Sequence, residues 1–223
     1  MCNGNDSVCN CKNCLTLGDI APDFTAVTTK GEIKFSEYIK DSWAVLFSHP
    51  ADFTPVCTTE FIGFAQEKEA FDKRGVKIIG LSIDSIYSHI AWLRAIEEKF
   101  DTKIDFPVIA DLSMEVAKKY GMIHEKMSTT HAVRTVTIIT PRGEIAFMVT
   151  YPMSVGRNIS EIIRIIDAMQ TVETKKVATP ANWQKGESVI MTPPQTIEGA
   201  QKRVKEQKDN PECYDWFLCK TKV

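Results

Sequence analysis

Cys57 is the residue whose type and setting most directly suggest chemistry. It lies in the segment Ser48-His49-Pro50-Ala51-Asp52-Phe53-Thr54-Pro55-Val56-Cys57-Thr58-Thr59-Glu60, between an apolar run and a helical pattern. A cysteine in the first turn of a helix faces unpaired backbone N–H groups and the positive end of the helix dipole. Both favour the thiolate, which is the nucleophilic form. Thr54 lies three residues earlier, where its hydroxyl can be aimed at the sulfur or at the oxygen of a bound peroxide. Pro50 and Pro55 stiffen the loop and shield the site from bulk water. Cleaving an O–O bond also needs a fixed cation for the leaving oxygen. Arg134, just before another apolar run, is the guanidinium expected to be brought there. A lone cysteine can instead be an inert core residue. The proline-rich strand-to-helix setting favours the reactive reading.

The elements that must position these groups follow from apolar periodicity. Short buried-strand patterns occur at Trp43–Phe47, Val76–Ile83, Thr135–Ile139 and Glu144–Val149, with Arg142-Gly143 as a tight hairpin between the last two. Helical patterns run over Thr58–Lys73, Ser88–Phe100 and Ile159–Met169, the last with Asn158 as its N-cap. The order strand, helix, strand, helix, strand, strand, helix indicates an α/β fold with crossover helices. Residues 1–16 form a polar, Cys-rich tail, and 17–176 the main domain. Residues 177–223 are a proline-punctuated arm with weak periodicity and one helix over Thr196–Gln207. The arm has too little core to stand alone and is expected to pack on a partner, such as a second subunit.

The chain has 223 residues, 25% of them charged, with a formal net charge of −2, which excludes a basic nucleic-acid-binding surface or polybasic membrane anchor. No apolar run reaches the roughly 20 residues of a membrane span, and the N-terminus lacks the pattern of a secretory signal. The expectation is therefore a cytoplasmic protein that engages neither membrane nor nucleic acid. Seven cysteines in such a compartment point to redox or metal chemistry rather than a disulfide framework. Cys2, Cys9, Cys11 and Cys14 could hold a metal or form an oxidisable tail; the spacing Cys9-x-Cys11 is tight for a metal site. No metal and no cofactor is expected for the main reaction.

The motif Pro50-x-x-x-Thr54-x-x-Cys57 in its segment resembles that of the peroxiredoxins, most closely the 1-Cys or type-six subfamily. The likeness extends through Leu81-Ser82-Ile83-Asp84-Ser85, Phe106-Pro107-Val108-Ile109-Ala110-Asp111, Tyr151-Pro152, Gly156-Arg157-Asn158 and Pro180-Ala181-Asn182-Trp183. The resemblance implies a thioredoxin-like fold and a thiol peroxidase acting on hydrogen peroxide and organic hydroperoxides. It makes Cys57 the cysteine oxidised to sulfenic acid, Thr54 and Arg134 its polar activators, and Pro50 the shielding proline. Glu60 and Arg157 resemble residues that orient or supplement the arginine. His49 matches a position near the sulfur; a purely structural, hydrogen-bonded histidine is the alternative.

Archaeal and some bacterial members with a similar C-terminal Cys-x-x-x-x-x-Cys imply that Cys219 of a neighbouring subunit resolves the sulfenic acid. Cys213 is then a helper or an alternative resolver. The same likeness implies recycling by thioredoxin or a similar dithiol, and a homodimer or a decameric ring of dimers. A phospholipase activity is not expected, because Lys40-Asp41-Ser42-Trp43-Ala44 lacks both glycines of Gly-x-Ser-x-Gly and Ser36 replaces the upstream histidine. Two other functions compete. A thiol–disulfide oxidoreductase would need Cys-x-x-Cys at the helix start, where residues 54 and 60 are Thr and Glu. A non-enzymatic holdase or redox-signalling partner would retain client protection in Cys57→Ser.

Overall fold

The computed structural model describes residues 15–223. The chain divides into two compact units, one ending at Arg157 and the other spanning Asn158–Val223. The first unit runs β1 (Thr25–Thr28), β2 (Gly31–Lys34), α1 (Phe35–Tyr38), β3 (Trp43–Ser48), α2 (Pro55–Gln66), α3 (Lys68–Asp72), β4 (Val76–Ser82), α4 (Ile86–Phe100), β5 (Val108–Ala110), α5 (Glu115–Lys119), β6 (Arg134–Ile139) and β7 (Ile145–Tyr151). Its seven strands form one sheet in the order β2-β1-β5-β4-β3-β6-β7. Strands β3, β4 and β5 are parallel, while β6 and β7 return antiparallel. This is the α/β architecture anticipated from the order of elements, in the thioredoxin-like arrangement that the resemblance implies.

Every residue of β3 is buried, as expected of a central strand covered on both faces. Phe47 on β3 stacks on Phe64 of α2 with ring centroids 4.2 Å apart, and Phe61 meets it edge-on at 5.4 Å. These contacts seat the helix that carries Cys57 on the sheet. Gly80 in β4 makes room for them. A Cβ there would lie 3.2 Å from Phe61 and 3.3 Å from Phe47. The pattern read as one helix over Thr58–Lys73 is two, because the backbone leaves helical geometry at Glu67. The hairpin between β6 and β7 turns at Gly143, whose φ of +78° suits glycine.

The second unit runs α6 (Ile159–Lys175), β8 (Val189–Ile190), α7 (Ile197–Glu206), β9 (Cys213–Asp215) and β10 (Leu218–Thr221). The Asn158 side chain caps α6 by accepting from the Glu161 N–H. The three strands form a small sheet in the order β8-β10-β9. Trp183, 2% exposed, packs with Ala168, Val189 and Val177, and its indole N–H donates to the Glu187 carbonyl. Unit two therefore carries more regular structure than the single helix expected after residue 177.

Candidate active site

Cys57 occupies the first turn of α2, with Pro55 at the first helical position and Thr54 as N-cap. Its side chain is fully buried. Two facts of topology bring Arg134 to it. The end of β3 leads directly into the loop before α2, and β6 pairs antiparallel with β3, Phe47 opposite Val136. The start of β6 therefore lies beside the end of β3. Ser48 fastens the junction: its hydroxyl donates to the Val133 carbonyl at 2.5 Å and accepts from the Thr135 N–H at 3.2 Å.

Arg134 Nη1 donates to Cys57 Sγ at 3.3 Å and to Glu60 Oε2 at 2.6 Å. Its Nε donates to the Met153 carbonyl at 2.8 Å, which fixes the plane of the guanidinium. Glu60, one helical turn after Cys57, also takes a fork from Arg157: Nε to Oε1 at 2.8 Å and Nη2 to Oε2 at 2.6 Å. The Arg157 backbone N–H adds a third bond to Oε1 at 2.8 Å. Arg157 Nη1 donates to the carbonyls of Ser48 and Thr135, and its guanidinium lies over the Phe47 ring at 4.8 Å. Burial pushes the Arg157 guanidinium down from its ordinary value and Glu60 opposes this; an arginine keeps its charge regardless.

The charges around Cys57 do not cancel. Two buried guanidiniums face one buried carboxylate, leaving one positive charge uncompensated. A buried, unpaired charge is strongly unfavourable. Cys57 Sγ is the further polar atom within reach of this group, at 3.3 Å from Arg134 Nη1. An anion at a helix N-terminus is favoured by the dipole.

The remaining expected residues fall as follows. Pro50 is buried in the loop. The Thr54 hydroxyl donates to the Ala51 carbonyl at 2.8 Å rather than toward the sulfur. Its oxygen lone pairs remain able to accept a hydrogen bond. His49 bonds through Nε2 to Asp52 Oδ1 at 2.9 Å and packs on Phe61 and Trp92. Asp52 is shared with His89, whose Nδ1 lies 2.8 Å from Asp52 Oδ2. Neither Asp52 nor His89 was singled out from the sequence, since an Asp in a loop and a His within a helix are individually ordinary.

Cys213 and Cys219 lie in the second unit, opposite each other on β9 and β10, and are joined by a disulfide. Cys219 is buried, and the disulfide pairs it with Cys213 rather than leaving it free. Among the described residues, Cys57 is the free cysteine. Cys2, Cys9, Cys11 and Cys14 lie outside the described residues. Against the first turns of α2 lies an apolar cavity of about 450 Å³, lined by Phe53, Thr54, Thr58, Ile62, Trp92 and Phe100 among others. No helix among the described residues is long and apolar enough to cross a membrane.

Comparison with known proteins agrees with this geometry. The sequence model of the AhpC/TSA family matches residues 17–148, and that of the C-terminal domain of 1-Cys peroxiredoxin matches residues 168–207. A peroxiredoxin of Methanosarcina mazei is 55% identical over 209 residues, covering 91% of this chain and 95% of that one. A peroxiredoxin of Aquifex aeolicus is 52% identical over 217 residues, covering 93% and 96%. Among solved structures, a yeast mitochondrial 1-Cys peroxiredoxin superposes with a TM-score of 0.81 at 41% identity, covering 94% of this chain and all of that one. Peroxiredoxin 6 of Arenicola marina, a cysteine-to-serine mutant, gives 0.78 at 41% identity, covering 84% and 88%.

Proposed function

The chain belongs to the peroxiredoxin family and is a peroxidase, and from that premise we propose that Cys57 is the cysteine that attacks the peroxide. The observation that carries this is the Arg134 guanidinium 3.3 Å from Cys57 Sγ, at the start of α2. The Cys57 thiolate attacks one peroxide oxygen and the O–O bond breaks. The proton of the attacked oxygen passes to the leaving oxygen, which departs as water or alcohol, and Cys57 is left as sulfenate, which takes a proton from solvent to become sulfenic acid. Arg134 stabilises the charge that grows on the leaving oxygen. Thr54, whose hydroxyl donates its hydrogen bond to the Ala51 carbonyl, accepts one from the peroxide O–H. Glu60 and Arg157 hold Arg134 in place, and Pro50 covers the thiolate. The apolar cavity beside the same turn supports organic hydroperoxides as well as hydrogen peroxide as substrates.

The sulfenic acid is resolved by a second thiol. In this reading the Cys219 thiolate of a partner subunit attacks the Cys57 sulfur, forming a disulfide and expelling hydroxide, which takes a proton from solvent to become water. Cys213 then attacks the Cys219 sulfur, giving the Cys213–Cys219 disulfide and freeing the Cys57 thiolate. The disulfide between these two residues supports Cys213 as the helper. A thioredoxin-like dithiol reduces it and restarts the cycle. The yeast 1-Cys relative is described as resolved through glutathione and thioredoxin systems, which supports a reductant of this class. Assembly as a homodimer, repeated in a decameric ring, and residence in the cytoplasm complete the proposal. The test is peroxide consumption coupled to thioredoxin and its reductase. Turnover that survives Cys57→Ser overturns it.

A further inference from the structure

The two cysteines of the C-terminal disulfide are unequally covered. The strand order β8-β10-β9 puts Cys219 on the central strand of the small sheet and Cys213 on an edge strand. Cys219 is fully buried, and its carbonyl takes the Met191 N–H at 2.9 Å, whereas Cys213 is only partly covered. Between the two cysteines the chain turns through Tyr214, Trp216 and Phe217, which are 72%, 39% and 54% exposed. Trp216 and Phe217 meet edge-on, with ring centroids 5.7 Å apart.

Scattered apolar residues on a surface need no explanation, but a cluster of large ones marks a contact surface. Trp and Tyr are among the residue types that carry most of the energy in protein contacts. The position of this cluster indicates its partner. The three rings stand on the turn that the disulfide closes, so a protein resting on them is brought to the sulfurs. Thiol–disulfide exchange requires direct attack of a thiolate on one of the two sulfurs, and access decides which. At Cys219 the protein itself blocks the approach; at Cys213 the edge of the sheet leaves it open.

We propose that Cys213 is the sulfur attacked when the C-terminal disulfide is reduced, and that the Tyr214, Trp216 and Phe217 turn is the docking surface for the protein dithiol that attacks it. The proposal rests on the reading that this disulfide is the bond the reductant opens. A thiolate of the dithiol bonds to Cys213 Sγ, and the Cys213–Cys219 bond breaks with its electron pair on Cys219. Cys219 takes a proton from solvent, and the Asp215 carbonyl, 3.3 Å from Cys219 Sγ, accepts the new S–H. The second thiol of the dithiol, its proton lost to solvent, attacks its own neighbour in the mixed disulfide. That closes the reductant's disulfide and releases Cys213 as a thiolate, so two electrons have passed from dithiol to disulfide. Cys219 meets no external thiol in this sequence.

The test uses the full chain with Cys2, Cys9, Cys11, Cys14 and Cys57 replaced by serine, so that only Cys213 and Cys219 remain, oxidised to their disulfide with diamide. Thioredoxin whose second active-site cysteine is serine should be trapped on it as a mixed disulfide. Acid quenching, alkylation and mass spectrometry of chymotryptic peptides should find thioredoxin on Cys213 and the alkyl group on Cys219. Thioredoxin on Cys219 overturns the proposal. In a second arm, Trp216→Ser, Phe217→Ser should slow reduction by wild-type thioredoxin about tenfold, as loss of anchoring aromatics does, and leave reduction by dithiothreitol within about twofold. Equal slowing with both reductants overturns the docking surface, because the turn would then only shape the disulfide. Unchanged reduction by thioredoxin also overturns it, and sedimentation of the same variant then shows whether a second copy covers the turn instead. The trapping arm decides the attacked sulfur even if that variant fails to fold. A disulfide that dithiothreitol opens and wild-type thioredoxin does not would instead fail the recycling reading on which the proposal rests.

Discussion

Arg134 Nη1 lies 3.3 Å from Cys57 Sγ although the two residues are 77 positions apart in the chain. The contact exists because the antiparallel return of β6 beside β3 puts the first residue of one strand next to the helix that follows the other. The same nitrogen is held by Glu60 at 2.6 Å, so the guanidinium is fixed before any peroxide arrives. Arg134→Ala should slow peroxide reduction by about 10²–10³, the usual loss for a preorganised donor at a developing charge. Stopped-flow measurement of Cys57 oxidation reads this directly. A variant that reacts at the wild-type rate removes Arg134 from the reaction. Arg134→Lys should remain impaired, since an ammonium cannot keep the Met153, Glu60 and Cys57 contacts together.

Glu60 is the counter-charge for both guanidiniums. Glu60→Gln leaves two buried positive charges facing each other and a carboxamide N–H₂ where an acceptor is needed. Breaking a buried pair in this way costs about 3–5 kcal/mol. Urea denaturation of the reduced protein should show a loss of that order. A loss below about 1 kcal/mol would mean that the pair is far better solvated than its burial implies.

The acid side of the stability curve should carry a histidine signature. Burial, partly offset by the Asp52 hydrogen bond, lowers the proton affinity of His49 in the folded chain. Below the ordinary histidine value of about 6.5 the unfolded chain therefore binds a proton that the folded chain does not. Stability then falls as pH falls, by up to about 1.4 kcal/mol per pH unit for one such group. His49→Asn should flatten the slope between about pH 6.5 and 5 by that amount, read by urea denaturation across the range. An unchanged slope would mean that His49 takes up its proton normally in the fold. Asp52, with its lowered carboxyl, works in the same direction only in much stronger acid, so the two contributions separate on the pH axis.

Much of this was legible before any coordinates. β3 and β4 read clearly because strands buried on both faces are continuous apolar runs. The position of Cys57 at a helix start was legible because Pro50, Thr54 and Pro55 crowd the junction between strand and helix. Arg134 was reached from its place just before an apolar run, whereas Glu60 and Arg157 were reached by resemblance, since nothing local marks them as partners. Asp52 and His89 were not reached at all. They are 37 residues apart, and only the packing of α4 beside the loop makes them a pair. The three-stranded sheet of the second unit also escaped, because strands of two to four residues are too short to show a period. The helix break at Glu67 is set by backbone geometry after Gln66, with no Gly or Pro to announce it.

The pairing of Cys213 with Cys219 sharpens what oxidation should look like on a non-reducing gel. Cys57 is fully buried, so no second sulfur can reach it until the first turn of α2 opens. Helix ends are where such local unfolding is least costly. Once open, Cys57 sulfenic acid should be captured by Cys219 of another subunit, giving a species of twice the monomer mass. If Cys213 then displaces Cys57, that species is transient in wild type and decays to a monomer holding the internal disulfide. Cys213→Ser blocks the displacement, so it should accumulate the dimer after one equivalent of peroxide. Cys57→Ser and Cys219→Ser should both abolish it. The order of events follows from which thiol each variant leaves: a trapped dimer in Cys213→Ser requires Cys219 as the first attacker and Cys213 as the second. A dimer that persists in Cys219→Ser and is recycled normally by thioredoxin would reverse those roles, or hand the first step to an N-terminal cysteine or an external thiol.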